Sequence, residues 1–332
     1  MRILIVSDHM LPAETYGGTQ RVVWSLARAL TTAGHHVRLL ARAGSTVPFA
    51  EVIPWQPEVD LHAQIPEDVD IVHVHGEPDG LDRVEAPWLT TIHGNRDDHR
   101  PFPQNAVFIS RAHAARYGSL VWVHNGLAWD DLPAPDLRTP RDDTVHFLGK
   151  VTWREKNARG ALDVLRRLDG PTTLDVLGGT RFQLKMGVSA VFDRRIRFHG
   201  MVDDAAKARH LSKSRALLLP VRWHEPFGLA VIESLYFGCP VLATPYGSLP
   251  ELLSPETGHL SNHATELARV LDDVVFDPRA CHERARDLFN ADRMASGYVA
   301  LYERVLNGHD LNPVAPMLQA LQRDRLLPWN TD

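Results

Sequence analysis

Continuous apolar runs separated by amphipathic segments make up most of the first 126 residues. Residues 2–7 (RILIVS) lack the alternation of a half-exposed strand, as expected for a strand buried on both faces of a parallel sheet. Residues 19–32 have apolar positions at helical spacing, and Gly34 ends this predicted helix before a second apolar strand, HVRLLAR. Strand, loop, helix and strand in this order indicate a doubly wound α/β unit.

The same pattern continues, with one interruption. Residues 127–143 are rich in Pro and Asp, have no periodic apolar spacing, and are interpreted as a linker. Apolar strands then resume at residues 145–150. We therefore predict an N-terminal domain over residues 1–126, a C-terminal domain over 144–310, and a terminal segment over 311–332 that contains a short helix within PMLQALQRDRLL.

Composition narrows the class of protein. The 332 residues are 44% hydrophobic and have a formal charge of −5, which suits a globular chain and argues against a general nucleic-acid binder. Cys239 and Cys281 provide no disulfide framework. The first apolar run is too short for a signal peptide, and no stretch approaches transmembrane length. We expect a cytoplasmic protein, and no membrane contact is indicated.

The most informative stretch is HEPFGLAVIESLYFGCPV, residues 224–241. Gly228 permits a strained or close backbone approach just before an apolar helix. The first N–H groups of that helix, from Gly228 and Leu229 onward, have no intrahelical acceptor, so they and the helix dipole favour an anion such as phosphate. Glu225 precedes this turn and Glu233 follows it. Acidic side chains on either side of a phosphate site suit a ligand with hydroxyls on both sides of a phosphate, as in a nucleotide sugar.

This stretch resembles the signature of the retaining glycosyltransferases of family 4 (glycosyl transferases group 1). The resemblance implies the α/β GT-B fold, with two Rossmann-like doubly wound domains facing across a cleft. HNG at residues 124–126 matches the Asn-Gly that often ends the first domain of the family. Residues 311–332 are placed like the terminal segment that crosses back to the first domain in such proteins.

The resemblance also assigns roles to residues of the second domain. FLGKVTWREKN (147–157) is similar to the family's basic segment, with Lys150 where arginine is usual and Asn157 where glycine is usual. Lys150 and Lys156 are the expected diphosphate-neutralising residues, and Arg154 is an alternative. The resemblance implies that Glu225 holds sugar hydroxyls and Glu233 ribose hydroxyls. The remaining expected donor-binding residues are Phe227, Gly228, Leu229, Met201 at the nucleotide base, and Gly17 and Gly18 of the first domain.

Two features of the first domain are candidates as well. His93 follows the apolar strand WLTTI at the edge where α/β sheets bind ligands, and the resemblance implies that it lies beside the donor sugar. Gly17 and Gly18 precede the first helix, where the backbone could approach a phosphate or sugar. His73 and His75, with Glu77, suggest a metal site, but the sequence places no third ligand with the two histidines, and hydrogen-bonded structural histidines are favoured.

The resemblance implies a metal-independent, retaining hexosyltransferase that uses a UDP- or GDP-sugar as co-substrate, with no cofactor, and an acceptor hydroxyl that the sequence does not identify. Two alternatives stay open. One is a sugar-nucleotide hydrolase or epimerase on the same scaffold, which would need no acceptor. The other is a non-catalytic sugar-nucleotide-binding protein, which would bind a donor tightly without turnover.

Overall fold

The structure is a computed structural model that describes residues 1–13, 17–168, 170–180, 186, 192–321 and 324–332. The chain forms two compact units. Unit 1 comprises Met1–Trp129 and Phe289–Leu321, and unit 2 comprises Asp130–Leu288 and Gln322–Asp332.

Unit 1 is a parallel α/β sheet with helices. In its described residues, six strands lie in the order β3-β2-β1-β4-β5-β6. The elements are β1 (Arg2–Ser7), α1 (Gly18–Thr32), β2 (His36–Arg42), β3 (Glu51–Trp55), β4 (Ile71–His75), β5 (Trp88–Ile92), β6 (Ala106–Phe108), α2 (Arg111–Arg116) and, from late in the chain, α9 (Ala291–Leu306). Strand β1 is buried from Ile3 to Ser7 and β4 along its whole length, as expected for inner strands of a parallel sheet.

Unit 2 repeats this topology. In its described residues, six parallel strands lie in the order β12-β11-β10-β7-β8-β9, which is the same order of connection as in unit 1. The elements are β7 (Thr144–Leu148), α3 (Ala158–Leu165), β8 (Thr173–Leu177), β9 (Ile196–Gly200), α4 (Asp204–Lys213), β10 (Leu217–Leu219), α5 (Leu229–Tyr236), β11 (Val241–Ala243), α6 (Leu249–Leu252), β12 (Gly258–Leu260), α7 (Ala264–Asp273) and α8 (Pro278–Leu288).

The strand order determines where a ligand fits in each unit. Connections run in opposite directions from β1 and β4 in unit 1, and from β7 and β10 in unit 2. Beyond the carboxyl ends of such a strand pair the loops diverge and leave a crevice, which is the usual ligand site of doubly wound sheets. The fold therefore predicts ligand sites at the loops after β1 and β4 in unit 1, and at the loops after β7 and β10 in unit 2.

The two units do not coincide with the predicted domains. Helix α9, which we had placed in the second domain, belongs to unit 1 and packs on α1 and β5. Its buried hydroxyls explain this position, because Tyr302 bonds His73 at 2.7 Å and Tyr298 bonds Thr91 at 2.8 Å. The sequence pattern of this helix does not specify which part of the chain it packs against.

The terminal segment also differs from its prediction. The helix predicted over residues 316–327 includes residues 322 and 323, which lie outside the described residues. Residues 316–321 are irregular, because their backbone pairs with unit 1: Met317 N–H donates to the Tyr117 carbonyl at 2.9 Å. Leu318 is buried there in a cluster with Phe102 and Phe108. Beyond the gap, Leu327 N–H donates to the Arg222 carbonyl of unit 2 at 2.8 Å.

Candidate active site

Asn157 joins the two loops of unit 2 that follow β7 and β10. Its φ of 51° is left-handed, which is the conformation that glycine adopts most easily and that Asn tolerates better than other residues. Its side-chain oxygen accepts from Gly160 N–H at 3.1 Å and caps α3, while its Nδ2 donates to the Pro220 carbonyl at 2.9 Å. The asparagine therefore fits a position where glycine would be usual, and adds a bond between the loops.

Lys156 and Glu225 form an ion pair between these loops. The Lys156 Nζ lies 2.7 Å and 3.0 Å from the two Glu225 carboxylate oxygens. Only 14% of the lysine side chain and 6% of the glutamate side chain are exposed. Trp223 Nε1 also donates to Glu225 at 2.8 Å. The fold thus brings together Lys156, the expected diphosphate ligand, and Glu225, the expected sugar ligand, and each side chain orients the other.

Two tryptophans complete a Lys–Trp cluster, defined as Lys150, Trp153, Lys156 and Trp223. Lys156 Nζ lies 5.1 Å from the Trp223 ring centroid, and Lys150 Nζ lies 5.3 Å from that of Trp153. The two indole rings meet edge to face at 6.2 Å. These distances are within the range of cation–π attraction. The tryptophans were not identified from the sequence, because their contact with the lysines depends on the fold.

The turn before α5 has a backbone conformation that favours glycine. Gly228 is the N-cap of α5 with a φ of 102°, and no side chain of the described residues caps that helix end. The preceding Glu225 carbonyl accepts from Ser248 N–H at 2.9 Å. A Cβ on Gly247 would lie 2.3 Å from the backbone N and O of Glu225. Close approach of two backbone segments therefore fixes Glu225. Phe227 is buried below the turn.

Glu233 lies within α5, buried and paired with a lysine that sequence reasoning missed. Its carboxylate is 2.6 Å from the Nζ of Lys207 on α4, and both side chains are 7% exposed. Lys207 also lies 3.1 Å from Asp204. Because burying a carboxylate is costly unless it is paired, Lys207 compensates the burial of Glu233 and orients its side chain. Lys207 stands four residues after Asp203, which caps α4, and its spacing alone does not reveal its partner in α5.

Met201 follows a glycine turn at the end of β9. Gly200 has a φ of 68°, and its N–H donates to the Gly179 carbonyl at 3.1 Å. The Met201 side chain is 46% exposed. The loop thus presents its backbone and this apolar side chain at the carboxyl edge of the unit 2 sheet.

In unit 1, His93 is half-buried and adjoins two buried imidazoles, His75 and His73. His93 Nε2 and His75 Nδ1 are 2.8 Å apart, and the His75 ring stacks on His73 with centroids 4.3 Å apart. Burial lowers the pKa of His93 to about 4 and that of His73 to about 3. These groups are therefore neutral at pH 7, and His93 is suited to hydrogen bonding rather than to supplying positive charge.

The structure argues against the metal hypothesis for His73, His75 and Glu77. Both ring nitrogens of His73 are engaged, with Tyr302 and with Thr91, each at 2.7 Å. Glu77 instead forms an ion pair with Arg96 at 2.7 Å. The two histidines share one face of the strand as their alternation predicts, but they are hydrogen-bonded structural groups.

A cavity of about 480 Å³ lies beyond β1 and β4 of unit 1. His93 and His75 line it, together with Thr19, Trp55 and the end of β1. Two buried polar atoms in its lining, Ser7 Oγ and His75 Nε2, have no hydrogen-bond partner among the described residues. Gly17 and Gly18 begin α1 directly before Thr19, and residues 14–16 of the preceding loop lie outside the described residues.

Solved structures place this architecture in a class. AviGT4, a glycosyltransferase involved in avilamycin A biosynthesis, superimposes with a TM-score of 0.75 at 22% identity over 92% of this chain and 98% of that chain. HepE of Anabaena, solved in complex with UDP-glucose, gives a TM-score of 0.62 at 14% identity over 93% and 99% of the two chains. The fold is that of the GT-B glycosyltransferases, which confirms the predicted α/β class.

Sequence comparisons agree with the predicted resemblance. Residues 142–277 match the family model of glycosyl transferases group 1. The phosphatidyl-myo-inositol mannosyltransferase of Mycobacterium leprae is 27% identical over 356 residues, covering 91% of each chain. These matches confirm the predicted resemblance to the glycosyl transferases of group 1, and they support glycosyltransferase activity. Within the described residues, no helix is both long and apolar enough to cross a membrane.

Proposed function

We propose that this chain is a retaining, family 4 glycosyltransferase that moves a hexosyl group from a UDP- or GDP-sugar to an acceptor hydroxyl without a metal ion in the reaction. The observation that best supports this is the buried Lys156–Glu225 pair at the carboxyl edge of the unit 2 sheet. A bound donor would offer phosphate oxygens to the lysine and sugar hydroxyls to the carboxylate. Mannosyltransferases among the relatives and UDP-glucose bound to HepE agree with such a donor.

The chemical difficulty is the charge of the leaving group. In the transfer, the bond from the anomeric carbon to the diphosphate oxygen breaks, and a bond to the acceptor oxygen forms on the same face. The acceptor proton passes to the leaving phosphate oxygen. Lys156, Lys150 and the N–H groups of Gly228 and Leu229 would stabilise the diphosphate anion electrostatically, so that no metal is needed for charge neutralisation.

The two glutamates would bind the donor rather than act as nucleophiles. Glu225 would accept hydrogen bonds from sugar hydroxyls, and Glu233 from those of the ribose. Phe227 supports the turn from below, and the backbone at Met201 would contact the base. In unit 1, the neutral His93 would hydrogen-bond a sugar hydroxyl, and the cavity beside it, near Gly17 and Gly18, would receive the acceptor.

Transfer assays with radiolabelled nucleotide sugars test this proposal. We expect Lys156→Ala and Glu225→Ala each to lower kcat by about 10²–10³-fold, because each removes a group that acts on developing charge or on substrate orientation. Lys213→Ala and Glu283→Ala, which replace exposed residues of the same unit, are matched controls with unchanged rates. Wild-type rates in the first two variants would refute the site, and an inverted anomeric configuration in the product would refute the retaining mechanism.

A further inference from the structure

Outside the proposed donor site, unit 2 contains a second constellation of ionisable side chains from three elements. Asp175 on β8 is buried, and each of its carboxylate oxygens faces a different imidazole. Oδ1 lies 2.9 Å from His199 Nε2 at the end of β9, and Oδ2 lies 3.0 Å from His210 Nδ1 on α4. The two rings have centroids 4.1 Å apart. Three ligand-type atoms thus converge from separate parts of the chain.

From this geometry we propose that Asp175, His199 and His210 bind a divalent transition-metal ion of the zinc class. Their ligand atoms all lie within 4.8 Å of one another. Metal bonds of about 2.0–2.2 Å at tetrahedral angles require ligand atoms about 3.4 Å apart, so small side-chain movements would suffice. Two imidazoles and one carboxylate suit Zn²⁺, Co²⁺ or Ni²⁺ better than Mg²⁺ or Ca²⁺, which prefer oxygen ligands alone.

The surroundings of Asp175, His199 and His210 suit the binding of a cation. Burial alone would raise the pKa of Asp175, but hydrogen bonds from His210 and His199 outweigh it and hold that pKa below its usual value. Each histidine side chain is about one quarter exposed, so an ion and its water ligands have access. The neighbouring His146 differs, since its two nitrogens bond Ser214 and Ser234 at 2.8 Å and 2.9 Å.

Metal binding requires the ligand nitrogens of His199 and His210 to give up their protons. In the metal-free state the imidazole nitrogens that face Asp175 donate N–H bonds. To bind metal, each must present a lone pair, so a neutral imidazole changes tautomer and an imidazolium releases one proton to solvent. A hydrogen-bonded triad without metal function would show no such binding.

The site would tie β9 to α4 across the loop that carries Met201. His199 directly precedes Gly200, and His210 lies one turn beyond Lys207, the partner of Glu233. A bound ion would restrain both ends of this loop. An effect on donor affinity rests on the proposed function, whereas metal binding itself does not, so failure of either is distinguishable.

The test uses untagged, chelator-stripped protein. Zn²⁺ is titrated in competition with a chromophoric chelator, and Co²⁺ is followed by its visible d–d absorption. We expect one site per chain in the wild type. In the double variant His199→Gln/His210→Gln, affinity should fall by more than the roughly 10–100-fold typical of losing an outer-shell partner, and the Co²⁺ bands should disappear.

Matched controls are needed because the chain has 18 histidines, any of which could bind Zn²⁺ weakly. His259→Gln removes a single imidazole that pairs with Glu266 at 2.8 Å, and should leave the site intact. The glutamines can still donate to Asp175, and circular dichroism verifies folding; if the double variant fails to fold, the single variant His210→Gln takes its place. Equal Zn²⁺ affinity in the wild type and the ligand variants, or loss of binding in His259→Gln instead, would overturn the proposal.

Discussion

Removing one partner of the Lys156–Glu225 pair should destabilise unit 2 strongly. With 14% and 6% of the two side chains exposed, each charge depends on the other for most of its compensation. Breaking a buried pair by removing one partner costs about 3–5 kcal/mol, and we take the lower end because Trp223 still donates to Glu225. For a unit of this size, a loss of about 3 kcal/mol lowers Tm by about 6–12 °C.

A double-mutant cycle isolates the pair. We expect Lys156→Met to lower Tm by the amount above, and Glu225→Gln to cost less, because the amide still accepts from Trp223. The double variant should be more stable than the sum of the single losses implies, by about 1–3 kcal/mol of coupling. Differential scanning calorimetry of the unit 2 transition provides the measurement. As a control, Arg269→Met breaks an exposed pair with Asp273, whose side chains are 65% and 60% exposed, and should not shift Tm measurably.

The result that would refute this reasoning is additivity. If the double variant loses the sum of the two single effects, the groups do not compensate each other. A Tm change in Lys156→Met no larger than that in Arg269→Met would show that solvent, rather than the carboxylate, stabilises the lysine.

Three further outcomes are expected. Lys207→Met should raise KM for the donor more than it lowers kcat, since Glu233 loses the cation that orients it, with partial recovery in Lys207→Arg; equal KM values would contradict this role. Gly247→Ala should be more destabilising in thermal melts than Gly308→Ala, because both have positive φ but only the first Cβ meets backbone, at 2.3 Å; equal losses would argue against a close approach. Burial lowers the pKa of His113 to about 3 from 6.5, so the unfolded chain binds a proton that the folded chain does not, and stability should fall as pH decreases below 6.5. His113→Leu should reduce that slope, measured by urea unfolding from pH 6.5 to 4.5, by about 1.4 kcal/mol per pH unit, whereas an unchanged slope would contradict a neutral, buried His113.

Chelator separates the proposed reaction from the proposed metal site. The proposed reaction is expected to proceed in excess chelator, because in that proposal Lys156 and helix N–H groups neutralise the leaving diphosphate. Loss of activity in both the wild type and the His199→Gln/His210→Gln variant would contradict the metal-independent chemistry. Loss in the wild type alone would indicate that the ion acts through the Asp175 site.

Much of the fold follows from local patterns in the sequence. The apolar run that becomes β1 is buried from Ile3 to Ser7, and no long-range information is needed to recognise such a strand. Strand β3 was missed because its sequence, EVIPW, is short and contains proline. This sequence can form a strand because β3 lies at the edge of the sheet, where the missing N–H of proline is tolerated.

Pairings between distant residues could not be predicted in the same way. Helix α9 falls within the predicted C-terminal domain but belongs to unit 1. An amphipathic face indicates that a helix packs on a neighbour, but it does not identify that neighbour. Lys207 and Glu233 are 26 residues apart on different helices, and Asp175 meets His199 and His210 across 24 and 35 residues. Such contacts depend on the relative positions of strands and helices, which the local pattern does not contain.

A crystal structure with a bound nucleotide sugar tests the central claim most directly. The account predicts that the diphosphate contacts Lys156 Nζ and the N–H groups at Gly228 and Leu229, with sugar hydroxyls on Glu225 and ribose hydroxyls on Glu233. A nucleotide bound away from the loops after β7 and β10, with the Lys156–Glu225 pair unchanged and untouched by ligand, would contradict it.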